Sequence, residues 1–488
     1  MQMRRLLYFS LVFVFASLLL MTPQAFAVRV LYDDFSAGFI DVQKWPRGMV
    51  AQEIRGGALA SDLRALAYSG NATAFTNPDN IKSIQTTVTV SQVGFFNQQS
   101  DVFAQIEGFF YNGPNGDVWA AVFIGDRGQG LEAWWQVVEG GNFLQEGLLV
   151  PPWDPSPLSP NTAYVVQVDY DGNNGFSFTV DGRSPPGSYT GPTRQGPPAS
   201  DHFKSLSTGI WGEPDEGGGW IFAKFDDVSV YYVDGTAFEP YDDFSAGPLL
   251  DSTKWAELEE VRQVTDVGGN YKLRSEIRAI NENRSATSNI LDDNAPYVET
   301  KVSVSSASQF TGSTNKITKA RIAGYYFNTR RGPGSGQPYD GFDGDVWVAL
   351  TLRTYDTGSG VNIVAAAEAF VTNRNGTTWD SIFPGEDRHI FSKSISFDTE
   401  YILSVEFTST SLIFTVKEGD GSNPETFTHN FATAIYEPSN PGRNLSCRAY
   451  ASGGGEIHLK AYFDDVYVEK VEKAVKAMPW IPLLLLGD

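Results

Sequence analysis

Short runs of alternating apolar and polar residues fill almost the whole chain, as in Phe176-Ser177-Phe178-Thr179-Val180 and Ile84-Gln85-Thr86-Thr87-Val88-Thr89-Val90. A period of two sends successive side chains to opposite faces of an extended strand, and Val, Thr, Phe and Tyr favour that state. Clusters of Gly, Asn, Asp and Pro punctuate the runs as turns do. Helical periodicity is absent outside the N-terminal segment; Val471 to Met478 allows two turns at most. The pattern predicts an all-β chain of many antiparallel strands, arranged as a sandwich or jelly roll.

The pattern is written twice. Tyr32-Asp33-Asp34-Phe35-Ser36-Ala37-Gly38 returns as Tyr241-Asp242-Asp243-Phe244-Ser245-Ala246-Gly247, each followed by an apolar-Asp-x-x-Lys-Trp run ending at Trp45 or Trp255. Phe225-Asp226-Asp227-Val228 and Phe463-Asp464-Asp465-Val466 close the two copies. Between them, Ile106-Glu107-Gly108 matches Ile322-Ala323-Gly324, and Gly116-Asp117-Val118-Trp119 matches Gly344-Asp345-Val346-Trp347. The spacing between partners grows from 209 to 238 residues, mostly through a Gly/Pro-rich insertion at Thr329 to Asp343. A period this long marks a duplicated domain rather than a solenoid. The expected units are 28–234 and 240–470, divided near Val233 to Pro240.

The opening Asp-Asp-Phe, the Phe178-Thr179-Val180-Asp181-Gly182 hairpin and the closing Phe-Asp-Asp-Val resemble the concanavalin A-like lectin/glucanase sandwich superfamily; copy two has Lys417-Glu418-Gly419 at the hairpin. The resemblance implies two tandem concanavalin A-like sandwiches, a ligand groove on a concave sheet face and structural calcium. In such sandwiches the first and last strands are commonly neighbours, which would bring Asp33 and Asp34 to Asp226 and Asp227, and Asp242 and Asp243 to Asp464 and Asp465. Calcium needs several oxygens converging on one point. Alternation lets only one Asp of each pair face a given side. Asp34, Asp226, Asp243 and Asp464 are the expected metal ligands, with Asp226 facing inward beside Val228 and Val230.

Tryptophan is unevenly shared. Copy one has Trp119, Trp134, Trp135, Trp153, Trp211 and Trp220; the matching body of copy two has Trp347 and Trp379. Flat aromatic faces beside polar groups suit sugar rings, whose C–H patches stack on them. Tyr111, Trp119 and Trp134 in copy one, with Phe327 and Trp347 in copy two, are the expected ligand contacts. Glucanases on this fold place Glu-x-Asp-x-Glu carboxylates along one strand, and no such run exists here. The nearest, Glu213-Pro214-Asp215-Glu216, reads as a loop; His202, His389, His429 and His458 lack metal-ligand spacing. A catalytic role is disfavoured.

The ends and the charge add context. Arg4 and Arg5, the apolar run Leu6 to Met21 and Ala25-Phe26-Ala27 read as a cleaved signal peptide covering 1–27. Its removal takes the net charge from −22 to −24. Such an acidic chain argues against nucleic acid or anionic membrane as partner. The apolar tail 471–488 is too short and too broken by proline to span a bilayer. One cysteine, Cys447, excludes an intramolecular disulfide and is expected to be buried and inert. Together these features predict a secreted, cell-surface or periplasmic protein, bacterial in style, that binds glycan without catalysis. An adhesive protein with protein partners and a polysaccharide-degrading enzyme are the alternatives.

Overall fold

The computed structural model describes residues 27–471, apart from 97–99, 184–185, 201, 213–216, 292–293, 312–315, 330–342, 357–360, 373–378, 432–434, 440 and 453–454. The signal peptide and the C-terminal tail lie outside the described residues, as does most of the Gly/Pro-rich insertion. Among the described residues the fold is all-β and antiparallel, with one 3-10 turn at Pro78–Asn80. No helix among the described residues is long and apolar enough to cross a membrane.

Two sheets belong to one copy each. A six-stranded sheet in copy one runs, in spatial order, Ser69–Ala74, Lys204–Trp211, Asp101–Gly113, Gly116–Asp126, Leu131–Glu139 and Asn142–Val150. The seven-stranded sheet of copy two is built on Asn283–Ile290, Gly442–Ala451, Lys316–Asn328, Asp345–Asp356 and Val361–Thr372. A third, 17-stranded sheet backs both. It is continuous because Met49–Ile54 of copy one pairs with Glu260–Val267 of copy two. Edge-to-edge pairing satisfies the backbone groups that two separate sandwiches would leave open.

The opening blocks are exchanged between the copies. Ala27–Asp33 lies along Glu456–Val471, the closing strand of copy two, with Ala27 opposite Val471. Glu239–Asp242 lies along Gly219–Tyr232, the closing strand of copy one. The apolar cores follow the same exchange. Tyr32, Phe35, Ile40 and Trp45 pack into the core of copy two, whereas Phe244, Leu250, Trp255 and Leu258 pack into that of copy one. Expecting each opening strand beside the closing strand of its own copy was therefore mistaken. The connection is the cause: six residues separate Tyr232 from Glu239, and so short a link favours an antiparallel hairpin with the next segment. The closing strand of copy two is left with an edge that the first strand of the chain fills.

The repeated opening motif fixes this junction. Asp33 accepts hydrogen bonds from Trp45 Nε1 (2.7 Å) and the Phe35 amide (2.9 Å), and Asp242 from Trp255 Nε1 (2.6 Å) and the Phe244 amide (3.1 Å). Phe35 and Phe244 adopt left-handed backbone at φ 56° and 53°, which bulky residues rarely do. The aspartate bond and ring stacking on Trp45 and Trp255 offset that strain. Phe-Asp-Asp-Val marks a bulge, with Asp227 and Asp465 at φ 48° and 44° and the strand register shifting around them. The inserted residue sends both Phe225 and Val228 into the core. Asp226 therefore does not share the side of Val228 and lies half-buried, correcting the inward placement.

Candidate functional site

In copy two, the strand Lys316–Asn328 turns Ala320 and Ile322 into the core, which leaves Lys319, Arg321 and Ala323 on the opposite, outer face. Its neighbours do likewise. Lys319 is registered with Arg448 on one side and Arg353 on the other, and Arg321 with Ser446 and Thr351. Above this face is a groove of ≈ 880 Å³, within the usual range of ligand pockets, roughly 300–1,000 Å³. Trp347, Phe370, Tyr355 and Tyr450 supply its aromatic walls, and Lys316, Lys319, Arg353, Arg388 and Arg448 its cations. Among the described residues, Glu368 is the one carboxylate in the lining.

Glu368 is nearly fully buried and is held by Lys319 Nζ at 2.6 and 2.8 Å and by Arg353 Nη1 at 3.5 Å. Burial pushes the Lys319 ammonium down to about 8 despite that partner. Arg321 lies against the groove floor, its guanidinium 4.8 Å from the centre of the Trp347 ring. It is only 5% exposed, and burial lowers it to about 10. Its Nε donates to Ser446 Oγ (2.9 Å), while its Nη1 has no hydrogen-bond partner among the described residues. Arg448 stacks on Tyr450 at 4.7 Å.

The corresponding face of copy one is filled by its own side chains. Strand register places Phe103, Gln105 and Gly125 where copy two has Lys319, Arg321 and Arg353. It also places Phe123, Trp134 and Gly209 where copy two has Thr351, Ala366 and Arg448. Phe123 and Trp134 stack at 4.8 Å, Phe103 meets Trp211 at 4.4 Å, and Arg127 covers Trp134 at 4.6 Å. Glu107 is buried beneath, accepting hydrogen bonds from Ser205 and Ser207 Oγ (2.9 and 2.7 Å) and from Trp119 Nε1 (3.1 Å). Burial raises its carboxyl.

The expected ligand contacts therefore divide. Trp347, 9% exposed, lines the groove of copy two. Trp119 and Trp134 occupy the equivalent face of copy one but pack within its aromatic cluster, Trp134 completely buried. Tyr111 and Phe327 are core residues, Tyr111 stacked on Tyr170 at 5.5 Å and Phe327 on Phe407 at 5.4 Å. A bulge in each strand, between Phe109 and Tyr111 and between Tyr325 and Phe327, reverses the alternation and turns these two rings inward.

The four aspartates expected to hold calcium do not form one cluster, although Asp226 and Asp243 lie within electrostatic reach of each other. Asp34 and Asp243 accept hydrogen bonds from the Ser36 and Ser245 amides and hydroxyls, which lower their carboxyls. Asp226 accepts from the Asp227 amide, and Asp464 from the Asp465 amide and Asn270 Nδ2. Among the described residues, no group of three or more His, Cys, Asp or Glu could hold a metal ion. The cleft beside Asp227, Asp242 and Asp243 already holds a cation, Lys254, whose Nζ is 3.4 Å from Asp242.

The basic residues of the groove were not singled out in the sequence. Alternating Lys319-x-Arg321 on one strand was the available signal, strengthened by aligning the copies, where Phe, Gln and Gly give way to Lys and Arg.

No protein-family profile matches the chain, and no curated protein matches it either. Among solved structures, the chain is similar to basic winged bean lectin with Tn-antigen, at 11% identity over 44% of this chain and 88% of that one, TM-score 0.18. It is also similar to xylan β-1,4-xylosidase from Bacillus halodurans C-125 (9% identity, 89% and 98% covered, TM-score 0.23). The LG1-3 region of the laminin α2 chain gives 9% identity, 82% and 68% covered, and TM-score 0.18. Scores this low carry no function across, so the groove alone supports the functional reading.

Proposed function

We propose that the chain is an exported, lectin-like carbohydrate-binding protein whose ligand lies in the groove of copy two, with copy one serving as scaffold. The observation that carries this reading is the groove, in which aromatic walls alternate with hydrogen-bonding side chains. Sugar rings need both, a flat apolar surface for their C–H faces and polar groups for their hydroxyls. The aromatic plug argues against the same use of copy one.

A glycan array followed by pull-down on insoluble polysaccharide tests the proposal. Phe370 and Tyr450 are half-buried at the groove wall, so Phe370→Ala and Tyr450→Ala should leave the fold intact. Losing one stacking partner of about 1–1.5 kcal/mol lowers affinity roughly tenfold. Substitutions on the already filled face of copy one should have no effect on binding. Absence of any bound glycan, or unchanged affinity in both variants, would sink the reading.

A further inference from the structure

We infer that the glycan taken by the groove is acidic, carrying carboxylate or sulfate groups that pair with Arg388 and Arg448; this rests on the carbohydrate reading above. The chain as a whole is strongly acidic, with net charge −22, yet the groove concentrates the opposite sign. Among the described residues, five cationic side chains line it against the single carboxylate of Glu368. That carboxylate is already shared by Lys319 and Arg353. Among the described residues Arg448 and Arg388 form no ion pair, and Arg388 Nε, like Arg321 Nη1, is buried without a hydrogen-bond partner.

Buried guanidinium donors left unmatched are costly, and like charges on adjacent strands repel. A fold that keeps such a cluster gains when an anion enters. Burial has already weakened the hold of Lys319, Arg321 and Arg353 on their protons, a shift that a bound anion reverses. Comparison of the copies sharpens the point. At four registered positions the residues Phe103, Gln105, Gly125 and Gly209 are matched by Lys319, Arg321, Arg353 and Arg448. All four differences add positive charge, and they form one contiguous patch. Planar guanidinium forks match carboxylate and sulfate oxygens in pairs, whereas neutral sugars need no such donors.

The experiment compares full-length protein on polysaccharide pairs that share a backbone and differ in charge: polygalacturonate against its full methyl ester, and dextran sulfate against dextran. The expected result is at least tenfold tighter binding of a charged member, weakening several-fold between 50 and 300 mM salt. Arg448→Gln and Arg388→Gln, both at half-exposed positions, should erase that preference while keeping the melting temperature. Preference for polygalacturonate alone assigns carboxylate, and for dextran sulfate alone, sulfate. Equal, salt-insensitive binding of charged and neutral members would overturn the acidic inference and leave the carbohydrate reading standing. Binding to no polysaccharide overturns both. Binding of an oligodeoxynucleotide without any acidic glycan would likewise overturn the inference and reassign the groove.

Discussion

Exchange of the opening blocks makes a prediction that separates the two copies. Trp45 is 1% exposed, donates to buried Asp33, stacks on Phe35 and meets Tyr32 edge-on at 5.4 Å. Trp45→Ala removes that volume at about 3–5 kcal/mol. It also leaves the Asp33 carboxylate short of one hydrogen bond, for about 1 kcal/mol more. The total of about 4–6 kcal/mol is a large part of the ~5–15 kcal/mol that stabilises a typical domain. All of it falls on the core of copy two, although Trp45 belongs by sequence to copy one. Native-state hydrogen exchange read by mass spectrometry resolves the question. In Trp45→Ala, peptides from Glu456–Val471 and Asn270–Ile280 should lose protection, while Gly219–Tyr232 keeps it. Trp255→Ala should give the mirror image. Loosening of Gly219–Tyr232 in Trp45→Ala, with Glu456–Val471 still protected, would refute the exchange. Trp45→Phe, which keeps most of the volume, should show the same pattern at about 1–2 kcal/mol.

The remaining predictions concern titration and reactivity. Burial alone would raise the Glu276 carboxyl, but the hydrogen bond with His458 and the charge of Arg274 bring it down to about 2. A folded value below the ordinary 4.5 means that Glu276 stabilises the protein fully above that pH and loses its contribution as pH falls towards 2. The melting temperature should fall across that window by an amount corresponding to on the order of 3 kcal/mol, and Glu276→Gln should flatten this limb; an unchanged limb refutes the assignment. Cys447 is fully buried beside the Ser275 carbonyl, and burial pushes its thiol up to about 12. A thiol reagent should label it only in denaturant, and rapid labelling of native protein would contradict the packing.

Much of the fold was readable because strand alternation and the duplicated motifs are local signals. The all-β class follows from runs such as Phe176 to Val180, whose apolar members Phe176, Phe178 and Val180 are buried in the core. Burial of Cys447 was equally legible, since it occupies a period-two run. Bulges were the main obstacle. One inserted residue near Tyr111, Phe327 and Asp226 reverses the face of everything beyond it, and nothing in the composition of those segments announces the insertion. The exchange was hidden for a different reason: the two opening motifs are nearly identical, so either could complete either closing strand. Of the candidate site, Trp347 was visible as a repeated outward aromatic. The cations were not, because Lys319, Arg353 and Arg448 come from three strands that only the sheet brings side by side.

The meeting of Ala27 with Val471 has a consequence for the order of events in the life of the chain. The opening strand of copy one has its partner in the closing strand of copy two, made long after it. Until Glu456–Val471 exists, Ala27–Asp33 has no edge to join and its motif ring, Trp45, has no core to enter. The copy-one body can finish once Glu239–Asp242 and the following residues to Leu258 are synthesised. Copy two must wait for both Ala27–Asp33 and Glu456–Val471 and must close the long loop between them. A chain truncated anywhere short of its closing strand would thus carry a finished first half and an unclaimed leading strand, a built-in mark of incompleteness.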